Sequence, residues 1–403
     1  MKAFFFYSII QILPFIVFAD WLGFRGTHGN GLISEEIPHE LSLNSHDSWE
    51  TVLPGRGLSS PVLVGDLVFL TSSSGSQQAD LHILAFNTIT GKQVWERTFK
   101  ATGRTICHNK TCVAASTMVS DGEVVVAQFS SNDIFCLDLK GNLIWLRGLT
   151  YDYPNIANGL GMSSSPLIAS GVLVAQVEND ADSFTFGLNL HNGTTLWKKN
   201  RPKGANWTSP VVLAKGSTKW IGLQSKEGLA FLDPSNGEIL WNYNDGASTI
   251  PSTVISSENV LLIPSNGLTA VEQPVKGKGP EQRWRNNKLA PGTGSPTVCG
   301  NQVFVINRAN VLTSASVQTG EINWRLRIKG PVSGSPIVTK NKLFVFNEDG
   351  LGQVIDISQK TAASVLKEID LKDTILCTPA ADQGALFVRS DRKLWKIGQA
   401  TRN

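Results

Sequence analysis

The sequence predicts an all-β fold, an eight-bladed β-propeller closed by a strand from the N-terminal side of the ring. Three observations carry the prediction: a strand-turn-strand unit ending on tryptophan recurs along the chain, a small residue followed by Pro or Thr opens each unit, and the openings return at near-constant spacing. The unit is clearest from Asp233 to Trp241, where an apolar strand runs into Asn236-Gly237 and a second strand ends on Trp241. Asn-Gly between apolar runs marks a tight hairpin, because glycine reaches positive φ without a Cβ clash. Other copies end on Trp95, Trp145, Trp197 and Trp324. Two have drifted: one reaches Trp284 through a longer loop rich in Lys, Gly and Pro, and one places Leu366 where the tryptophan would fall. The openings are Ser60-Pro61, Ser116-Thr117, Ser165-Pro166, Ser209-Pro210, Ser252-Thr253, Ser295-Pro296, Ser335-Pro336 and Thr378-Pro379, separated by 56, 49, 44, 43, 43, 40 and 43 residues. A period near 40–45 residues with about four short strands in it is a propeller blade.

In chain order, Lys2, the apolar run Ala3 to Phe18 and Val17-Phe18-Ala19 read as a secretory signal peptide over residues 1–19. A membrane anchor would need about 20 apolar residues, and this shorter run contains Pro14. The expected location is therefore the periplasm or the extracellular space. Residues 20–47 follow as an irregular arm. Gly26, Gly29 and Gly31 have the look of a phosphate loop, but no strand precedes them and no helix follows. Trp21 and Phe24 are expected to pin this arm to the ring's surface.

Residues 48–403 are assigned to the propeller. Ser48 to Leu53 reads as an orphan fourth strand, while Leu394 to Ile397 matches a third strand with none after it. Pairing the two closes the ring and removes an open sheet edge. Runs such as Leu67 to Leu70, Val124 to Val126 and Leu343 to Phe346 are apolar on both faces, as suits strands sandwiched between blades. Seven of the 11 tryptophans fall on the repeat position, which makes them packing residues first. A net charge of +3 over 403 residues gives no argument for nucleic acid.

Cys107 and Cys112 lie in a polar link between the first two blades. In an exported chain a local disulfide is the expectation, with two free thiols as the alternative. Cys136, Cys299 and Cys377 read as buried packing residues. No histidine pair has metal-ligand spacing and no Gly-x-Ser-x-Gly elbow occurs. In a propeller the loops joining second to third strands gather around one mouth of the channel. Here they carry Glu178, Asp180, Arg308, Glu348, Asp349 and Arg392. These form a candidate rim for a partner or ligand, although polar hairpin tips are solvated turns unless something binds them.

The Ala-x-Asp-x-x-Thr-Gly-x-x-x-Trp pattern, kept best from Ala85 to Trp95 with Asn87 at the Asp position, resembles the repeat of pyrroloquinoline-quinone-like (PQQ-like) propellers. That family holds both quinoprotein dehydrogenases and noncatalytic BamB-like outer-membrane assembly proteins, and the resemblance covers about residues 48 to 398. The dehydrogenase branch implies an aspartate base, calcium or a lanthanide held by carboxylate and amide oxygens, and often a disulfide of adjacent cysteines. This chain has no Cys-Cys pair, no Cys-x-x-Cys-His and no long insertions. The expectation is a noncatalytic, monomeric binding or scaffolding module with an envelope or extracellular protein partner and no cofactor, catalytic residue or bound metal. PQQ with calcium belongs to the alternative, a quinoprotein oxidoreductase; a carbohydrate or cell-surface binder is a further alternative.

Overall fold

The computed structural model describes residues 20–156, 159–215, 218–273 and 279–399. The expected signal peptide, residues 1–19, lies outside them. Eight antiparallel sheets follow one another along the chain and form the blades of a propeller. Blade 4 shows the plan: Val211–Lys215, Thr218–Ser225, Gly228–Leu232 and Ile239–Tyr243 pair in sequence from the axis outward. Blade 8 takes three strands from the C-terminal side, Ala380–Asp382, Ala385–Arg389 and Lys393–Gln399, and its fourth, Trp49–Val52, from the N-terminal side. The closing register sets Trp49 against Lys396 and Val52 against Lys393. Leu41–Ser42 pairs with the far end of the same strand.

The core is a series of apolar clusters, each between neighbouring blades. The cluster at the seam joins blades 7, 8 and 1 and also takes in Trp21, Ile33, Ile37 and Leu41 of the arm. Arg389 ties the seam further. Wholly buried, it donates to the Thr71 carbonyl (2.7 Å) and to the Ser59 hydroxyl (3.1 Å) of blade 1.

Seven blades carry a register shift between the third and fourth strands, one residue before the tryptophan position. Such a bulge leaves one residue unpaired and re-aims its neighbour. In blade 7 the unpaired residue is Leu366, and Lys367, opposite Val354, holds the position that tryptophan takes elsewhere. The sequence expectation placed the substitution one residue early, because the bulge inserts a residue that periodicity does not show.

The tryptophans join one blade to the next. Five indole N–H groups donate to a carbonyl in the following blade: Trp49 to Thr88, Trp95 to Leu139, Trp145 to Leu190, Trp197 to Pro234 and Trp284 to Val317, at 2.7–3.1 Å. Each ring lies against a turn glycine of that blade (Gly91, Gly141, Gly193, Gly237 and Gly320), where an added Cβ would come within 2.5–2.7 Å of it. All five glycines have positive φ. Trp241 and Trp324 find no acceptor among the described residues. They face blades 5 and 7, whose turns have drifted.

Candidate functional site

The opening residues form a ring around the axis. The backbone N–H of seven of the eight donates to the hydroxyl of the next blade's opening residue: Ser60 to Thr117, Thr117 to Ser165, Ser165 to Ser209, Ser209 to Ser252, Ser252 to Ser295, Ser295 to Ser335 and Ser335 to Thr378, all at 2.9–3.0 Å. Serine or threonine recurs there because a short side chain must reach across to the preceding blade and accept. In blade 2 the ring residue is Thr117 rather than Ser116, one position later than the sequence pattern suggested. Without a proline to mark the position, the pattern had two candidates.

All eight ring residues line a cavity of about 420 Å³ at the mouth of the central channel. Its walls come from the links between blades, including Leu58, His108, Lys110, Thr111, Trp207, Ile250 and Leu376. The arm closes it from below. Trp21 exchanges two backbone hydrogen bonds with Leu63 of blade 1, Leu22 accepts from Ser120 of blade 2, and Gly31 and Ile33 pair with Val338 of blade 7. Phe24 therefore reaches the cavity floor instead of packing on the outer surface. Arg25 lies beneath, 1% exposed, and donates to the carbonyls of Pro296 (2.8 Å) and Thr253 (2.9 Å). Burial lowers its pKa to about 9, so it stays cationic at neutral pH. Gly26, Gly29 and Gly31 all have positive φ and their amides bond within the arm, so these glycines shape turns.

Two long links overhang the mouth. The first, between blades 1 and 2, is held by Arg56, which donates to the Asn109 carbonyl (2.8 Å), by an amide bond from His108 to Leu160 (2.9 Å), and by Lys110. Lys110 crosses to blade 7 and pairs with Glu348 at 2.9 Å. Burial pulls the Glu348 carboxyl up, but hydrogen bonds from Ser333 and Lys110, with the lysine charge, outweigh it and hold its pKa below the usual value. The second link, between blades 2 and 3, accepts a 2.9 Å bond at the Gly161 carbonyl from the Trp207 indole.

The six rim candidates separate under this geometry. Asp180, Arg308, Asp349 and Arg392 are exposed at hairpin tips on the mouth side. Glu348 is half-buried and committed to Lys110 and Ser333. Glu178 is not on the rim surface: it is 3% exposed, takes a 2.7 Å ion pair from Arg201 and accepts from Asn206 at 2.8 Å. It neutralises a buried arginine. Sequence reasoning missed the apolar part of the mouth, where Ile106, Leu160 and Ile250 are exposed.

Cys107 and Cys112 are not joined; both are free thiols. Cys112 is turned into the apolar cluster between blades 1 and 2, and burial raises its pKa to about 12. Cys107 instead packs against Gly161 and lies 3.7 Å from Gln78 Nε2. The spacing suited a bridge, but the link sends the two side chains to different surroundings. Cys136 and Cys377 are buried, and Cys299 is half-buried.

The cavity lining contains no carboxylate, and no cluster of three metal-ligating side chains occurs among the described residues. Calcium takes six to eight oxygens, carboxylates prominent among them. The donor set therefore does not fit a calcium-assisted quinone.

The sequence profile of the family described as Outer membrane protein assembly factor BamB matches residues 46–159, 157–277 and 266–365. The outer membrane protein assembly factor BamB of Alkalilimnicola ehrlichii is 26% identical over 215 residues, 53% of this chain and 50% of that protein. The chain spans about half the length of the curated relatives it matches. Among solved structures, BamB from Moraxella catarrhalis superposes with a TM-score of 0.62 at 15% identity, covering 88% of this chain and 99% of that one. A europium-containing methanol dehydrogenase superposes with a TM-score of 0.74 at 10% identity, covering 94% and 98%. At such identities the superpositions speak for the fold alone.

Proposed function

The chain belongs to the family of the outer membrane protein assembly factor BamB, and from that premise we propose that it is an exported, noncatalytic propeller that binds a protein of the cell envelope at the mouth of its channel. One observation carries this reading. Exposed Ile106, Leu160 and Ile250, with Trp207 beside them, stand within a rim bearing Asp180, Arg308, Asp349 and Arg392. An apolar centre with a charged surround is the anatomy of a protein interface. The links that carry it are fixed by hydrogen bonds across blades, so little ordering entropy opposes binding.

The noncatalytic part rests on the donor set. Of the carboxylates the sequence assigned to the rim, buried Glu178 and half-buried Glu348 are neutralised by basic partners. The lining offers hydroxyls, apolar surface, His108 and Lys110, with no carboxylate to serve as a base or to build a metal cage. The oxidoreductase reading shares the propeller but has no residue here to favour it.

The test is site-specific photocrosslinking in envelope preparations from the positions of Asp180, Arg308 and Ile106, in the parent chain and with Leu160→Asp. A discrete adduct with an envelope protein, reduced about tenfold by Leu160→Asp, is expected. Absence of any adduct from all three positions would reject the mouth as the binding face.

A further inference from the structure

The hydroxyl ring leaves a specific account open. Each of seven ring hydroxyls accepts one backbone N–H, and a hydroxyl also carries a proton to donate. None of the eight ring residues donates that proton to an acceptor among the described residues. All eight are at least nine-tenths buried. Thr111, nine-tenths buried in the same lining, has a hydroxyl oxygen with no partner at all. Buried polar groups are nearly always satisfied, so a concentration of unspent donors in one cavity points to acceptors that enter it.

The charges agree. Arg25 lies below the floor with no carboxylate partner among the described residues, and its Nε is unpaired. Lys110 is in the lining. The nearby carboxylate, Glu348, stands outside the lining and is occupied by Lys110 and Ser333. With Lys110 offset by Glu348, Arg25 is the uncompensated cation, and in a low-dielectric pocket its charge and the unspent hydroxyl donors favour an anion. The cavity is much larger than a simple inorganic ion needs, and Phe24, Leu58, Trp207, Ile250 and Leu376 give it apolar walls.

We propose that the cavity is a binding site for a small organic carboxylate, its carboxylate taken by the hydroxyl ring and Thr111 and its apolar body by the walls above. The site shares Trp207 and Ile250 with the protein interface proposed for the mouth, but titration with small acids and crosslinking to an envelope protein read the two independently, so either can fail without the other.

The test is isothermal titration calorimetry of the full chain with benzoate, phenylacetate and octanoate, each beside its neutral amide. At least one acid should saturate with a Kd below about 1 mM, and its amide should bind about tenfold more weakly or not at all. Thr111→Val removes a hydroxyl that has no partner to lose. It should therefore weaken the acid about tenfold while leaving the melting temperature unchanged or higher. Ser163→Trp, at a half-buried lining position, should fill the cavity and abolish binding. The proposal is overturned if none of the three acids saturates, if amides bind as well as acids, or if binding survives Ser163→Trp.

Discussion

Asp382, in the first strand of blade 8, is a carboxyl whose surroundings oppose its charge. It is 4% exposed, and its Oδ1 has no partner among the described residues. Burial, and then the charge of Glu35, raise its pKa from 3.8 to about 6. The folded state thus holds the proton more tightly than the unfolded chain. The destabilisation is absent below the unfolded value and grows as pH rises through about 6. Asp382→Asn should raise the stability at neutral pH by on the order of 1–2 kcal/mol and change little near pH 4. Denaturant unfolding of both proteins at the two pH values checks this, and equal midpoints at neutral pH would count against a strained charge. At this scale the sequence was least legible. Glu178 and Asp180 look alike as loop acids, yet one is buried against Arg201 and the other is exposed. Arg25, in a glycine-rich stretch without period, gave no sign that it would enter the channel.

Blades were far more legible, because each repeats a packing problem that has the same solution. Tryptophan near the start of the fourth strand, where the sequence pattern read it as the strand's end, and glycine in the next blade's turn are two halves of one contact. The series predicts its own exceptions. Trp145 donates to the Leu190 carbonyl at 2.8 Å and lies on Gly193, whereas the Trp324 indole has no acceptor among the described residues. Trp145→Phe should cost about 1 kcal/mol more than Trp324→Phe, since only the first takes an indole donor from a buried carbonyl and leaves it the weak Cys136 thiol at 3.8 Å. Thermal unfolding of the two variants decides it; equal losses would mean that ring packing, not the hydrogen bond, is what counts. What periodicity left unseen was local register. The bulge shifted the blade 7 substitution to Lys367, and two adjacent small residues hid that Thr117 is the ring member. The recurring Ser and Thr were visible, but their accepting role needs the neighbouring blade in place.

At the scale of the molecule the eight blades are held in a circle whose seam lies in blade 8. There Trp49–Val52 supplies the outer strand, and Arg389 bonds across to blade 1. Adjacent residues of an edge strand point their N–H groups alternately toward and away from the partner. Replacing Glu50 and Thr51 together by proline must therefore remove at least one ladder bond. The double variant should lose about 3 kcal/mol or more and still unfold in a single shifted transition. A separate early transition confined to blade 8 would show that the seam can open without the rest. The arm has a different consequence. With Phe24 at the floor and Arg25 wedged beneath it, the propeller is a cup rather than a pipe. Nothing threads through it, and whatever enters the hollow leaves by the same lip. A partner seated on that lip acts as a stopper, slowing escape from the hollow whether or not it touches the contents.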